Sequence, residues 1–523
     1  MLKPDWQALI QAKRAERDSR IPAEWRLDSS ITSQAHRENP ISAFDLLDQT
    51  NLVTKSERTI TENYDATSLL AQLASGALSS FEVTLAFCKR AVIAQQLINP
   101  LTEMFFDKAL ERAKELDAYL ARAGKSKGPF HGLPISLKDM WMVKGEAATL
   151  GFVAYLSKPV AEENSPIVDI LLDGGAVLYC KTNVPQGLFV FHGGRKQRIW
   201  RNSEPPQAHT GGCWQQYGRG SFDRVPWLTP WSRHRYWRLY PFTVSRQRRV
   251  RIQANCKPGP LLGSTVSLPQ GMSWHPSFSW TTRQALAVPW ADVPKRKLKI
   301  GYWEGSPQTP VFPPILRALR KAAEALKAAG HEVVPLSTPA GGGTLDCAGI
   351  YIHSLGFDTN ATLMQFLDDA EEEILPGMKD LKEAMAGAPK STLEDVWQFH
   401  GNRGDYRQAW HAKWAETGMD VLLCPAHQGT GMPHNAYGLP VYTMIWNLLD
   451  CPASVIPFLK ASKIIDTDKV EGYDADVLDG APAHVQVVGW TLRDEEVLMA
   501  TEVIDDVLRN VPEADLPPLY SSL

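Results

Sequence analysis

His131-Gly-Leu-Pro-Ile-Ser-Leu-Lys-Asp139 is the stretch on which the fold turns. Its middle, Gly132 to Leu137, is apolar without helical spacing, and it ends on two charges, Lys138 and Asp139. A short apolar run bounded by Gly and by charge predicts a buried strand. Upstream the pattern is helical. Asp65-Ala-Thr-Ser opens an apolar stripe of Leu69, Leu70 and Leu73, closed by Gly76. Ser80 is placed to cap a helix from Phe81 to Leu97, with Val83, Leu85, Ala86, Ala91 and Ile93 inward. A third helix spans Asp107 to Ala123 before Gly124. Downstream, a short helix from Ser165 to Leu172 and the Gly174-Gly175 turn lead to a second buried strand, Ala176 to Cys180.

The same alternation returns after residue 296. Strands are predicted at Leu298–Tyr302, His331–Pro335, Val421–Cys424, Ser454–Phe458 and His484–Val488, with helices at Pro314–Ala329 and Asp494–Leu508. Alternating helices and buried strands predict an α/β fold, a mixed twisted sheet covered on both sides by helices. At roughly 150 residues per domain, the 523 residues allow up to three domains. No linker-like stretch separates the halves, so one large domain (65–523) is expected. A helical extension (1–64) precedes it, opening on an amphipathic helix through Trp6, Leu9 and Ile10.

Composition excludes several classes. The chain is 44% apolar and 22% charged, so collagen-like, disordered and coiled-coil classes fall away. Lys+Arg number 55 against 58 Asp+Glu, a net charge of -3, which gives no whole-chain case for nucleic acid or an acidic membrane surface. The N-terminus lacks a signal-peptide core, and no uncharged apolar run reaches the roughly 18 residues of a membrane span. A cytoplasmic protein is the expectation. The seven Cys (88, 180, 213, 256, 347, 424 and 451) are scattered without a CxxC pair and read as buried thiols, neither a disulfide framework nor a zinc site. Cys424, His427 and His434 lack the ligand spacing of a metal site. Ala340-Gly-Gly-Gly-Thr344 lacks the lysine of a phosphate loop and reads as a connection. Neither a cofactor nor a metal is expected.

Residues 187–290 break the pattern. They hold eight of the 17 Trp, and between Gly187 and Arg251 there are 13 Lys+Arg against two acids, Glu204 and Asp223. The Arg/aromatic interleaving of 195–251 has the composition of a single-strand nucleic-acid surface. The flanks argue otherwise. His131–Asp139 resembles the lysine motif of the amidase signature family, and Lys181-Thr-Asn-Val-Pro-Gln186 its next motif. Phe87–Ala91, Leu101–Phe106, Leu439–Cys451 and Ala481–Gly489 resemble the fungal acetamidase or general amidase branch.

In that family a Gly/Ser-rich loop, GGSSGGE, should follow, and then GTDIGGSIR. Neither is present. Arg233–Pro241 can be encoded CGG CAC CGA TAT TGG CGG CTC TAT CCG, and one nucleotide later this reads Gly-Thr-Asp-Ile-Gly-Gly-Ser-Ile. Trp214–Gly220, preceded by TGC, gives Ala-Gly-Ser-Ser-Met-Gly-Gly in the same shifted frame, and Lys196–Arg201 gives Ser-Asn-Val-Phe-Gly. Three matches in one frame and in order mark 188–285 as an aberrant, shifted-frame segment. A frameshift or a misplaced splice boundary would each produce it.

The resemblance implies hydrolysis of small carboxylic acid amides by a Ser–cis-Ser–Lys mechanism. A Ser hydroxyl is barely ionised at neutral pH and needs a base. A lysine serves only when neutral, which burial favours. Lys138 is the base that the resemblance implies. The cis-Ser position falls on Gln215 and the nucleophile on Leu239, 24 residues apart as in the family motif. Gln cannot relay a proton as a hydroxyl does, and Leu has no nucleophilic atom, so the literal chain is expected to be inactive. Asp139 either orients Lys138 or caps the next turn. Tyr442 and Trp446 line the acyl pocket or pack in the core. Expected partners are a small amide substrate, no nucleic acid and no membrane. Monomers and homodimers both occur among such enzymes. A pseudoamidase is the alternative, and a nucleic-acid binder through 195–251 a weaker one.

Overall fold

A computed structural model describes residues 6–35, 46–47, 49–184, 186, 292–355, 357, 368, 371–372, 374, 379, 382–383, 391–430 and 438–511. It comprises two compact units, one built mainly from the N-terminal half with 366–379 added, the other from the remainder.

The first unit holds α1 (Trp6–Ser19), α2 (Lys55–Asn63), α3 (Ala66–Ser75), α4 (Ser80–Ile98), β1 (Leu101–Met104), α5 (Phe106–Ala123), β2 (Pro134–Lys138), α6 (Pro166–Asp173) and β3 (Val177–Thr182). Its helix ends follow local chemistry. Asp65 caps α3 through the Ser68 amide, and Gly76 closes it in the left-handed conformation at φ 73°. The cap of α4 is Ser79 rather than the expected Ser80, because Glu82 lies three residues after Ser79 and reaches back to its amide, completing a capping box. Of the expected inward face of α4, Val83, Ala86, Ala91 and Ile93 are fully buried, whereas Leu85 is only partly buried.

β2 and β3 run parallel, so the chain must cross over between them, and α6 supplies the crossover. β1 adds antiparallel on the other side of β3, giving the order β1-β3-β2. β3 is therefore the central strand, and each of its residues is buried. The core joins Leu69, Leu73, Val83, Phe87, Val177 and Tyr179, and it includes Trp25, Leu46, Leu47, Val53 and Ile60 from the first sixty-four residues. The N-terminal extension is thus continuous with the core of this unit.

The second unit contains β4 (Lys299–Tyr302), α7 (Pro313–Ala328), β5 (Glu332–Pro335), α8 (Thr344–Leu355), α9 (Leu393–Thr417), β6 (Val421–Cys424), α10 (Val441–Leu449), β7 (Ala453–Lys460), β8 (Pro482–Val488) and α11 (Asp494–Arg509). The sheet order is β5-β4-β6-β8-β7, with β4 parallel to β5 and β6, and β8 antiparallel to β6 and β7. α7 buries Ile315, Ala318, Leu319, Ala322 and Leu326, the stripe of an amphipathic helix. Gly301 in β4 lies so close to Met419 Sδ, Leu336 and Leu422 that a side chain there would push Met419 aside. The α/β class and mixed pairing match the sequence reading. The strands, expected in one sheet, fall into two among the described residues.

Five tryptophans of the second unit lie together. Trp303 meets Trp410 at 5.1 Å and Trp446 at 6.4 Å, Trp410 meets Trp446 at 5.0 Å, and Trp414 joins Trp446 to Trp490. Most of these contacts are edge-to-face, the arrangement that the ring quadrupole favours. Five of the cysteines, 88, 180, 347, 424 and 451, are buried free thiols, as read from their scatter. Cys213 and Cys256 lie outside the described residues.

Candidate active site

Lys138 ends β2, half-buried, where the parallel β2–β3 pair terminates in register Lys138↔Thr182. The carboxyl ends of parallel strands are where α/β proteins place ligands, since the strands hold side chains there while loops remain free to vary. The next residue, Asp139, is fully buried, and its amide donates to Thr182 O at 2.8 Å. Its carboxylate lies 2.8 Å from Lys181 Nζ and accepts from the Thr149 hydroxyl and amide. Lys181, equally buried in β3, also donates from Nζ to Ala147 O at 2.5 Å. The Asp139 side chain ties the end of β2 to β3 and to the loop at 147–149.

A second layer of charge lies behind it. Glu103 on β1 is in register with Lys181 and is fully buried. Its carboxylate lies 2.6 Å from Lys13 Nζ and 3.8 Å from Arg20, both on or just beyond α1. Burial pushes the Glu103 carboxyl up to about 7; the Asp139 carboxylate adds to the rise, while Lys13 and Lys181 oppose it. Glu146, 2% exposed, takes Arg20 at 2.7 Å and Lys108 at 2.5 Å. Arg17 donates to Asn99 Oδ1 and Leu101 O at the start of β1. Buried charges are tolerated only when paired, and here the first helix supplies much of the pairing.

Gln186, at the end of the second motif, donates to the buried Glu372 at 3.2 Å, and Glu372 also accepts the amides of Val153 and Ala154. These contacts tie Gln186, just past the end of β3, to the loop at Val153–Ala154. Gln215, Leu239 and 188–285 as a whole lie outside the described residues, as does His434.

The remaining sequence candidates belong to the second unit. Tyr442 and Trp446 are buried in its core, and the Tyr442 hydroxyl accepts from the Ser306 amide and donates to Thr309 O. Cys424 Sγ accepts from Gln486, and His427 Nδ1 accepts from the Gly429 amide. Ala340–Gly343 forms a turn into α8, with the Gly342 and Gly343 carbonyls accepting from Tyr406 and Trp410. Among the described residues no group of three His, Cys, Asp or Glu could hold a metal ion, and no helix is long and apolar enough to cross a membrane.

Mixed sheets, helices between parallel strands, and a lysine at a strand end backed by buried ion pairs define an α/β enzyme scaffold. Comparison makes the assignment specific. The family model described as Amidase matches residues 82–196 and 281–498. An amidase of Gibberella moniliformis is 41% identical over 97% of this chain and 100% of that protein. An acetamidase of Emericella nidulans is 29% identical over 97% and 99%. A fatty acid amide hydrolase superposes with a TM-score of 0.79 at 23% identity, covering 97% of this chain and 95% of that one. A bacterial aryl acylamidase gives 0.60 at 14% identity, covering 86% and 99%. The chain belongs to the amidase signature family, the amide-hydrolysing enzymes.

Proposed function

We propose that the protein descends from a hydrolase of small carboxylic acid amides working by a Ser–cis-Ser–Lys mechanism, and that the chain as written lacks its two serines. In this reading Lys138, neutral, takes the proton of the nucleophilic Ser through the bridging Ser. The serine oxygen attacks the amide carbonyl, and the proton passes to the leaving nitrogen. Water then releases the acyl group, so that amide and water become carboxylate and ammonia. Backbone N–H groups of the glycine-rich loop hold the oxyanion; in other acyl-transfer enzymes one lost donor costs on the order of 10²–10³ in rate.

The observation that carries the reading is the contrast at Gln186. Up to it, Lys138 ends β2 beside the buried, paired charges of Asp139, Lys181 and Glu103, which supports its role as base. Beyond it, the family match is interrupted from 197 to 280, the span in which this reading puts the two serine positions on Gln215 and Leu239. The names of the relatives support small amides as substrates, two of them being acetamidases. A family base without its nucleophile is expected to leave the literal chain inert.

The test is to sequence the transcript across codons 186–290, then to express both the literal chain and a frame-restored version. Ammonia release from acetamide by the restored protein alone, abolished by Lys138→Ala, is the expected result. A transcript that matches the literal sequence turns the reading to a pseudoamidase. Activity or fluorophosphonate labelling of the literal chain, lost on Lys138→Ala, would overturn the claim of inactivity.

A further inference from the structure

We propose that Lys181 is a positioning residue for the Lys138 base, occupying the carboxylate of Asp139 so that this acid does not serve as the counter-charge of Lys138. The inference rests on the reading of Lys138 as the base. It adds a requirement which that reading leaves open.

The difficulty is electrostatic. A base must lose its proton near neutral pH, and burial helps by disfavouring the ammonium. A carboxylate next to it does the opposite, because an opposite charge nearby favours the charged lysine. Asp139 follows Lys138 directly in the chain and is fully buried, so its charge is weakly screened. Left alone, it would hold Lys138 in the protonated form that cannot act as a base.

The geometry shows what takes up that charge. Lys181 Nζ lies 2.8 Å from the Asp139 carboxylate, and both side chains are fully buried. The Thr149 hydroxyl and amide supply the other contacts of this carboxylate, and Ala147 O takes a second bond from Lys181. The pair is held from both sides. Parallel register sets Leu137 against Lys181 and Lys138 against Thr182, so Asp139, two residues on from Leu137, stands on the same face of the sheet as Lys181. On β1 the register partner of Lys181 is Glu103, whose own charge is met by Lys13. The arrangement alternates sign from α1 inward, Lys13, Glu103, Lys181, Asp139, and leaves the last carboxylate matched by the lysine beneath it.

Two neutralising changes should therefore move Lys138 in opposite directions. Lys181→Met leaves the Asp139 charge unmatched and raises the pH at which Lys138 loses its proton. Asp139→Asn, made with Lys181→Arg so that the cation cannot shed its charge, lowers it. The pair Lys181→Met with Asp139→Asn removes both charges and restores the wild-type value. Competitive acetylation of the intact full-length protein with acetic anhydride, read peptide by peptide by mass spectrometry against pH, reports Lys138 with the exposed Lys125 as internal standard. It needs no catalytic turnover.

The expected result is a displacement of about one pH unit in each direction, so that Lys181→Met takes up about fivefold less label at Lys138 at the wild-type midpoint. Lys181→Arg alone should stay near wild type. Should Lys181→Met not fold, the downward displacement and the neutral double variant carry the test. Displacements in the same direction, or none, would overturn the inference and leave Lys181 a structural residue. A wild-type Lys138 that titrates together with Lys125 would instead sink the reading of Lys138 as a base, a separate outcome.

Discussion

The two sheets are held together by different forces. β3 at the centre of the first is buried along its length yet carries Lys181, and its neighbours add Glu103 and Asp139, all three paired. The second packs Val421, Leu422, Leu423, Val485, Val487 and a cluster of tryptophans, with little charge inside. Buried ion pairs are a weak source of stability, because desolvation offsets much of their attraction. Apolar burial at roughly 25 cal/mol per Å² is a strong one. A unit that keeps charges in its centre gives up stability there, and this is the unit that holds the candidate base.

That contrast can be broken most sharply at the tryptophans. Trp303 is 1% exposed and touches Trp410, Tyr442 and Trp446. Trp303→Ala should cost about 3–5 kcal/mol, read as a shift in urea midpoint. Amide exchange should rise in β4 and β6 and change little in β2 and β3. Equal loosening of both sheets would mean that they do not differ in the way described.

pH offers a second test, because the units carry titrating groups of opposite sign. Glu103 moves from an ordinary 4.5 up to about 7, so the folded form holds its proton longer than the unfolded chain. Its contribution is present below 4.5 and is lost as pH rises through about 7. His484 in β8 moves from 6.5 down to about 3 through burial, with the nearby His427 adding to the fall. Its contribution is present above 6.5 and is lost as pH falls. Glu103→Gln should flatten the loss between pH 5 and pH 7.5, on the order of 2 kcal/mol, seen as Tm against pH with exchange resolved to β1 and β3. An unchanged slope would show that Lys13 already compensates for the burial of Glu103.

The smallest effect should be the same in both units. Ser79 closes a capping box on α4 and Thr392 one on α9. Ser79→Ala and Thr392→Ala should each cost about 1 kcal/mol, measured by denaturant titration. Caps are local, so a large inequality would mean that one helix end has a further role.

What could be read from the sequence follows the same division. Most helices and strands were predictable because their apolar spacing is regular and their ends carry Gly, Ser or Asp. β1 does not read as a strand from sequence, since Glu103 sits inside a four-residue run and a buried charge hides the pattern. α9 was missed as well. Its buried face is Phe399, Tyr406, Trp410 and Trp414, but Gly401 and Gly404 interrupt it and Trp397 is 78% exposed. At the site, Lys138 could be found from a motif. The Asp139–Lys181 pair could not, because its members are distant in sequence and only the β2–β3 register brings them together.

α1 and the residue after it supply cations to two interior acids, Lys13 to Glu103 and Arg20 to Glu103 and Glu146. Removal of this segment can be tested by truncation. A cut after Arg20 would remove Lys13, Arg17 and Arg20 together, leaving Glu103 without its nearest cations and Glu146 with Lys108 alone. Two interior acids would then take up protons or admit water at neutral pH. Residues 13–20 thus act as a counterion for the interior of the unit, and deleting them would change the charge state near the candidate base without altering Lys138, Asp139 or Lys181.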